Sequence, residues 1–417
     1  MKKLVRNLVC VGLLLLVIVN IAYTYPVDGY STTGIRRLEL IRLRLEKKLS
    51  GVVPVSGGRK SISEIKLNLL KTPGVDLEKL PKPDVELQKR LDALFPNRDE
   101  SYSITVLDIT PGRPMRFASR QMDRRLSPGS VGKLAVAAGL FAELKAIHPD
   151  STESRQKLLR ERMVTAGRWI RSDHHEVPIY DPKTGSHASR QIKESDVFSL
   201  YEWLDHMLSA SANAAASVVW KEAMLMRAFG KAYPPSREDE EAFFRNTPRT
   251  DLQKMSLSVV NDPLRQAGII QSDWQLGSFF TSAGKAIVPG AQSYGNPRGL
   301  LWFLVRMEQG KLIDEWSSLE IKRLMYMTAK RIRYASSPAL TQAAVYFKSG
   351  SLYKHKPEAG FVPKKYTGNV ENYMNSVVVV EQPDGRIYLV ALMSNVLRKN
   401  SAVDHQTIAT QVNQILK

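Results

Sequence analysis

A run of small apolar residues is the feature that most narrows what this chain can fold into. Residues 134–141 read Leu-Ala-Val-Ala-Ala-Gly-Leu-Phe, and they follow the segment Ser-Pro-Gly-Ser-Val-Gly-Lys at residues 127–133. Ser127 suits a helix N-cap and Pro128 the first helical position, so a helix is predicted to begin here and to run toward Leu144. Because almost every side chain behind its first turn is small or apolar, we expect this helix to be buried on all sides.

The first turn of this helix carries a serine and a lysine with the spacing of a proton-exchanging pair. Ser130 and Lys133 lie three residues apart, which places them on one face of the helix. The tetrapeptide alone decides nothing, because Ser-x-x-Lys begins five times in the chain, at Ser63, Ser130, Ser154, Ser282 and Ser351. The surrounding sequence must select among them.

The size and charge of the chain limit the classes of protein it can be. With 417 residues, 43% of them hydrophobic and 24% charged, the chain is an ordinary globular one with room for one large core or two. The net charge of +19 would attract anionic partners of several kinds: nucleic acid, phospholipid head groups or an acidic cell-wall polymer.

The N-terminus indicates where the protein acts. Lys2, Lys3 and Arg6 precede an apolar run at residues 8–23 that is typical of a signal peptide and short for a comfortable transmembrane span. Residues 1–25 are therefore predicted to be a cleaved signal peptide or an uncleaved anchor in the inner membrane. Either way we expect a periplasmic or extracytoplasmic protein, which excludes nucleic acid as a partner and favours an anionic envelope surface.

The single cysteine, Cys10, falls within this apolar run. The exported part is therefore expected to have no intrachain disulfide, no thiol nucleophile and no thiolate metal cluster.

Residues 26–84 form a distinct N-terminal region. A basic helix is predicted at residues 34–49, with one apolar face formed by Leu38, Ile41, Leu45 and Leu49. This helix either lies on a membrane surface or packs on the main domain. The Pro- and Gly-rich residues 51–84 predict a linker.

The main domain is predicted to span residues 85–417, and its strands come from both ends. A helix at residues 87–94 and strands at 102–109 and 115–119 precede a mostly helical stretch, in which loops are expected at 174–194, 233–239 and 278–297. Three strands, at 343–347, 376–380 and 387–393, and a closing helix after Ser401 follow. The order predicts an α/β (α+β) domain whose sheet is assembled from both ends, with an all-helical subdomain inserted at about residues 127–340.

Two further motifs select Ser130 from the five serines. Ser-x-Asn occurs only at Ser211 and Asn213, between two predicted helices. Lys-Ser/Thr-Gly occurs twice, at residues 183–185 in a polar turn and at residues 348–350 at the end of a predicted strand. Only the second could line a cleft, so the ordered set is Ser130/Lys133, Ser211/Asn213 and Lys348/Gly350.

This ordered set resembles the penicillin-recognising serine enzyme superfamily, most closely the class A β-lactamases. The resemblance implies a β-lactamase/DD-peptidase-like fold, in which helices flank an antiparallel sheet, and it implies no cofactor and no metal. It further implies that Ser130 is the nucleophile, Lys133 its proton acceptor and Ser211 the relay to the leaving nitrogen, while Lys348 keeps the cleft positive.

The same resemblance implies a set of substrate-binding residues. Asn213 would orient an amide side chain of the substrate, and Ser349 would bind a substrate carboxylate beside Gly350. The oxyanion would lie between the backbone N–H groups of Ser130 and Ser351.

The match is weakest at the residue that should free the acylated serine. Class A enzymes use a Glu-x-x-Leu-Asn pattern, and its nearest counterpart here is Asp273-Trp-Gln-Leu276-Gly277. Asp273 is therefore either a deacylation residue with a shorter side chain or a helix-cap or loop residue.

A second acidic stretch could be taken for a metal site. Asp173-His-His-Glu176 contains ligand-type side chains, but adjacent histidines on a loop seldom point at one ion, so a solvated loop is the favoured interpretation.

The leading hypothesis is an exported serine hydrolase that forms an acyl-enzyme with a β-lactam or a peptidoglycan-like peptide amide. The alternative is a non-catalytic envelope- or peptidoglycan-binding protein that retains the fold and holds anionic polymer on its basic surface. Esterase or amidase action on another small molecule would use the same nucleophile.

Overall fold

The computed structural model describes residues 28–70, 79–326 and 331–417, so the predicted signal segment lies outside the described residues. The described part contains thirteen α-helices: α1 Tyr30–Thr33, α2 Arg36–Leu45, α3 Val85–Asp92, α4 Lys133–Ile147, α5 Thr152–Glu161, α6 Leu200–Leu208, α7 Asn213–Phe229, α8 Arg237–Asn246, α9 Arg249–Gln266, α10 Ser282–Ile287, α11 Pro297–Glu308, α12 Glu315–Tyr326 and α13 Ala402–Ile415. Within these residues, none of the helices has both the length and the apolar character needed to cross a bilayer.

The strands of the described residues form one main sheet and three short ladders. They are β1 Ser103–Asp108, β2 Arg116–Arg120, β3 Met163–Thr165, β4 Glu176–Tyr180, β5 His187–Gln191, β6 Val197–Ser199, β7 Trp274–Gln275, β8 Tyr294–Gly295, β9 Ala344–Lys354, β10 Glu371–Glu381 and β11 Ile387–Asn395. The main sheet has the order β2-β1-β11-β10-β9, and every neighbouring pair is antiparallel. The predicted sheet with strands from both ends of the domain is confirmed.

Helices cover both faces of this sheet because its central strands are apolar on both sides. In β10, Val377 and Val379 face one core and Val378 and Val380 face the other, as the two-residue repeat of a strand requires. The first core includes α4, α7, α9 and α11, and the second includes α3 and α13. The sheet is therefore the middle layer of a three-layer domain.

The inserted part is not all-helical, which corrects the prediction in one respect. The ladders β3–β6, β4–β5 and β7–β8 all fall within it, and β4 and β5 form a hairpin inside the stretch predicted as a loop at residues 174–194. Its tip is the polar turn that contains the Lys-Thr-Gly sequence of residues 183–185, where Asp181 Oδ1 accepts from the N–H of Lys183 at 3.0 Å. The hairpin was missed because β5 is polar and exposed and Pro178 falls within β4, so neither segment has the alternation typical of a strand.

Helix α4 is buried on all sides, as predicted: every residue from 134 to 138, together with Leu140 and Phe141, is fully buried. The predicted beginning of the helix is wrong, since Ser127 does not cap it. Gly129 has a φ of 51°, outside the helical region, and a 3-10 turn at Gly129–Gly132 leads into α4 instead. The carbonyl of Ser127 accepts from Asn375 Nδ2 at 2.9 Å, which ties this turn to β10.

Helix α2 packs on the main domain. Of the two alternatives, a membrane surface or the main domain, the structure shows the second. Leu38 is fully buried, and Arg37 Nη2 donates to Asp205 Oδ1 on α6 at 2.6 Å. Arg36 makes a second ion pair with Glu202 on the same helix at 2.7 Å. Both arginines thus serve attachment to α6.

The predicted linker is irregular but packed. Ile65 and Leu69 are buried in the first core. Gly57 lies so close to the sheet that a Cβ there would be 1.9 Å from the carbonyl oxygen of Ala343. The described residues 28–70 therefore form a strap that packs on the domain through buried side chains, ion pairs and one close backbone contact.

Candidate active site

The serine and lysine of the 3-10 turn lie in direct contact. Lys133 Nζ is 2.9 Å from Ser130 Oγ, because the turn and the first residue of α4 bring side chains three apart onto one face. Lys133 is fully buried. The predicted proximity of these two groups is found, at hydrogen-bond distance.

The Ser-x-Asn motif supplies the remaining acceptors of the Lys133 ammonium. Lys133 Nζ donates to the carbonyl oxygen of Ser211 at 2.6 Å and to Asn213 Oδ1 at 2.7 Å, and it lies 3.4 Å from Ser211 Oγ. Ser211 has a φ of 60°, a conformation that a serine rarely adopts. This backbone conformation, between the end of α6 and the start of α7, turns both the carbonyl and the hydroxyl of Ser211 toward Lys133.

The Lys-Ser-Gly motif on β9 completes the chain of contacts. Lys348 Nζ donates to Ser211 Oγ at 2.8 Å and to the carbonyl oxygen of Ser349 at 2.9 Å. Ser211 Oγ is therefore placed between two lysines, and a continuous series of polar groups runs from Ser130 to Lys348. A proton can pass along such a series without leaving the cleft.

Strand β9 and the 3-10 turn approach each other closely beside Ser130. A Cβ at Gly350 would lie 2.3 Å from the carbonyl oxygen of Pro128 and 3.0 Å from the amide nitrogen of Ser130. Only glycine allows β9 to approach the turn this closely. The backbone nitrogens of Ser130 and Ser351 both lie at this close contact, since a Cβ at Gly129 would be 2.9 Å from the Ser351 nitrogen. Ser349, directly before Gly350, is buried except for 8% of its surface.

Burial makes both lysines of the site easier to deprotonate. Burial lowers the pKa of Lys133 to about 7, a shift that the carboxylate of Asp173 opposes. Burial, then the charges of Lys133 and Arg333, hold the pKa of Lys348 well below its ordinary value. Two cations in one dry cleft disfavour each other's charged form, so one of them can act as a base near neutral pH.

Arg333 is a site residue that the sequence analysis missed. Its side chain is buried, its φ is 53°, and its Nη1 donates to the carbonyl oxygen of Gly350 at 2.6 Å. Nothing in the local sequence separates it from Arg331 two residues earlier. Only the close approach of residues 333–336 to the end of β9 identifies it.

Asp173 was predicted to belong to a solvated loop, and its side chain is instead 6% exposed. Asp173 Oδ2 accepts from the N–H of Ala214 at 2.8 Å, so it caps the start of α7, and Oδ1 lies 2.6 Å from Nδ1 of His175. Although burial opposes ionisation, the hydrogen bonds from His175 and Ala214 lower the pKa of Asp173. The described residues hold no cluster of three or more groups suited to a metal ion.

The carboxylate of Asp273 is engaged by an asparagine side chain. Its carboxylate accepts from Asn296 Nδ2 at 3.0 Å, and within the described residues it makes no hydrogen bond to Ser130 or Lys133. Two residues further along this stretch contact the site. The Phe280 ring centroid lies 4.9 Å from Lys133 Nζ, and Leu276 Cδ1 would lie 2.9 Å from a Cβ at Gly132.

The sequence of the domain matches an established family model. The model, described as the β-lactamase enzyme family, matches residues 86–416, which is most of the chain and contains every residue of the polar series. This chain belongs to the β-lactamase enzyme family. It is thereby a member of the penicillin-recognising serine enzyme superfamily, as the three ordered motifs indicated.

Solved structures with the same fold include both β-lactamases and a penicillin-binding protein. A class A β-lactamase from Bacteroides cellulosilyticus is 15% identical, with a TM-score of 0.51, over 81% of this chain and 99% of that one. The extended-spectrum β-lactamase TLA-3 is 11% identical, with a TM-score of 0.52, over 79% and 98%. PBP-A is 13% identical, with a TM-score of 0.50, over 81% and 97%. At these identities the likeness concerns the fold alone.

Comparison with curated proteins gives no match.

Proposed function

We propose that this protein is an exported serine hydrolase in which Ser130 forms an acyl-enzyme with a β-lactam or a peptidoglycan-like peptide amide. The single observation that carries the proposal is the unbroken polar series from Ser130 through Lys133 and Ser211 to Lys348. A protein that kept only the fold for binding would have no use for two buried lysines around one serine hydroxyl.

In the proposed acylation, neutral Lys133 accepts the proton of the Ser130 hydroxyl as Oγ attacks the carbonyl carbon. The new bond joins Oγ to that carbon, and the negative charge on the carbonyl oxygen is stabilised by the amides of Ser130 and Ser351. The bond from carbon to nitrogen then breaks. Ser211 Oγ, hydrogen-bonded to both lysines, gives its proton to the leaving nitrogen and takes up the proton that Lys133 had accepted, so that Lys133 is neutral again.

Substrate orientation is assigned to the residues around this series. Asn213 Oδ1 already accepts a hydrogen bond from Lys133. Its side-chain NH2 group is left to donate to a substrate carbonyl. Lys348 and Arg333 make the end of β9 positive, so Ser349 is the proposed contact for a substrate carboxylate.

We further propose that the acyl-enzyme is released slowly. Rapid hydrolysis needs a base that activates a water molecule beside the ester. The ammonium of Lys133 lies over the ring of Phe280. The carboxylate of Asp273 accepts a hydrogen bond from Asn296. These contacts support a penicillin-binding or peptidase-type role over rapid β-lactam turnover.

Labelling with a fluorescent penicillin tests the proposal. The unmodified protein should be labelled covalently, and S130A should lose all labelling because Oγ is the atom that is acylated. The matched control is S63A, which alters another Ser-x-x-Lys tetrapeptide and should label normally. Equal labelling of S130A would rule out Ser130 as the nucleophile.

The rate of label release separates the two enzyme classes. Release over many minutes fits the proposed slow deacylation, whereas release within seconds would identify a β-lactamase and contradict it. If no variant is labelled, binding to isolated cell wall at two salt concentrations tests the non-catalytic alternative, since contacts between exposed charges weaken with salt.

A further inference from the structure

A basic loop continues the active-site strand beyond Ser351. We call residues 352–366 the basic lip. Strand β9 is an edge strand of the main sheet and runs on to Lys354, about 10 Å past Ser351 at the usual rise of a strand. The chain then loops back and re-enters the sheet at Glu371 as β10. A ligand that lies along the end of β9 would therefore also contact the basic lip.

The charges of the basic lip are unbalanced. Lys354, Lys356, Lys364 and Lys365 are all exposed, and none of them forms a salt bridge in the described part of the chain. The single acidic residue of the lip, Glu358, is already paired with Arg398 at 2.7 Å. Four ammonium groups without carboxylate partners thus lie on one short loop beside the catalytic cleft.

Aromatic and aliphatic groups lie between these charges. Tyr353 packs edge-on against Tyr366 with ring centroids 5.6 Å apart, and His355 lies 5.8 Å from Phe361. Leu352 is 46% exposed, so an apolar side chain is presented directly after Ser351. The lip can therefore contact both acidic and apolar groups of a ligand.

A buried arginine connects the lip to the catalytic residues. Arg333 donates to the carbonyl oxygen of Gly350 and lies 5.1 Å from the ring centroid of Tyr366. Asn369 fixes the base of the loop, since its side chain bonds both the N–H and the carbonyl oxygen of Lys356 at 3.0 Å. These contacts hold the lip in a defined position relative to Ser130.

We propose that the basic lip binds an extended acidic peptide and so selects, as the substrate of Ser130, an amide within or attached to such a peptide. The inference rests on the proposed function for the acylation step, while the binding itself does not require a reactive serine.

The edge strand favours a peptide over other polyanions. An extended peptide can pair its amide groups with the free edge of β9 and place alternate side chains on each face. Its carboxylates would then meet the four lysines, and its apolar side chains would meet Leu352 and Tyr353. A phosphate polymer or a lipid head group offers charge but no strand partner.

Fluorescence anisotropy with fluorescein-labelled decaglutamate tests the lip directly. We compare the unmodified chain with a lip variant, K354Q/K356Q/K364Q/K365Q, and with a control, K89Q/K183Q/K231Q/K254Q, which removes the same charge from exposed lysines outside the lip. The lip variant should bind about tenfold more weakly, and the control should stay within about twofold. Equal losses in both variants would mean that net charge alone attracts the peptide, and would overturn the proposal.

Two further measurements connect the lip to the active site. Decaglutamate should slow the labelling of Ser130 by a fluorescent penicillin in the unmodified chain, and an unchanged labelling rate would overturn the assignment to the substrate path. S130A should keep its peptide affinity, so a failure of the proposed chemistry and a failure of the lip are distinguishable. Stronger lip-dependent binding to phosphatidylglycerol vesicles than to decaglutamate would assign the lip to a membrane and reject a peptide partner.

Discussion

Two lysines in this molecule are equally buried, and each lies against an aromatic ring, but their hydrogen-bond and ion-pair partners differ. Lys133 and Lys322 are both fully buried, and each ammonium lies over an aromatic ring, Phe280 at 4.9 Å and Tyr346 at 4.5 Å. Lys322 contacts two carboxylates, Glu308 at 2.8 Å and Glu381 at 3.0 Å. In the described part of the chain, the hydrogen-bond partners of Lys133 are hydroxyl, amide and carbonyl oxygens.

The difference separates a structural cation from a reactive one. Around Lys322 the two carboxylates respond differently. Burial raises the pKa of Glu308, although Lys322 opposes this shift. Burial opposes ionisation of Glu381, yet Lys322 and Lys60 lower its pKa to about 2. Among the described residues no carboxylate forms an ion pair with Lys133, and burial lowers the lysine pKa to about 7 although the charge of Asp173 opposes the shift. A buried lysine can act as a base where no carboxylate pairs with it, because burial then lowers its pKa.

Replacing each lysine by methionine should give the largest effects, on acylation for Lys133 and on stability for Lys322. K133M should acylate Ser130 about 10³-fold more slowly, because the proton acceptor is lost, while its thermal unfolding midpoint stays equal or rises. Labelling rates and thermal unfolding of the purified variant check both parts.

For K322M we expect the opposite result, a loss of stability with an unchanged acylation rate. It leaves Glu308 buried without its cation, which should cost about 3–5 kcal/mol of unfolding free energy, and the folded fraction should label at the normal rate. If K133M proves as destabilised as K322M, Lys133 is a structural residue and the distinction fails.

The pH dependence of acylation should report the lysine of the cleft. Lys133 must be neutral to accept a proton, so below its pKa of about 7 the labelling rate should fall about tenfold per pH unit, with a plateau above. Initial labelling rates between pH 5 and 9 measure the midpoint, and K322M in its folded range should share it. A flat profile would exclude Lys133 as the base.

The carboxylate of Asp173 should shift that midpoint by a smaller amount. Its charge raises the pKa of Lys133, so D173N should move the midpoint of the labelling profile to lower pH. The asparagine oxygen can still accept from Ala214, which preserves the cap of α7. D150N, which removes an exposed carboxylate elsewhere, should leave the midpoint unchanged, and an equal shift in both variants would reject a specific effect of Asp173.

Asp273 should have the smallest effect. D273N keeps an oxygen for Asn296, so the release rate of the penicillin label should change by no more than about twofold. The single-turnover release rate measures this directly. A release at least tenfold slower would identify Asp273 as the deacylation residue, and the geometry around Phe280 would then need another explanation.

Much of the fold could be predicted because its signals are local. The five strands of the main sheet were found near their observed positions, since apolar runs such as that in β10 are bounded by recognisable turns. The β4–β5 hairpin was not found, because its stability comes from backbone pairing and few apolar side chains. The packed strap was also missed, since contacts such as that of Gly57 with Ala343 depend on residues far apart in the chain.

The candidate site divides in the same way. Ser130, Lys133, Ser211, Asn213 and Lys348 belong to short motifs whose order along the chain singles them out, and their catalytic roles stay predictions until tested. Arg333 and Asp173 have no such motif. Each reaches the site through a backbone conformation or a helix terminus that appears only when distant elements pack together.

The sequence by itself determined the family, the order of the motifs and the identity of the candidate nucleophile, because these are properties of residue type and spacing. The tertiary structure decided which lysines meet a carboxylate and which do not. That distinction depends on distances between separate helices and strands, and in a buried site a few ångströms separate an ion pair from a base.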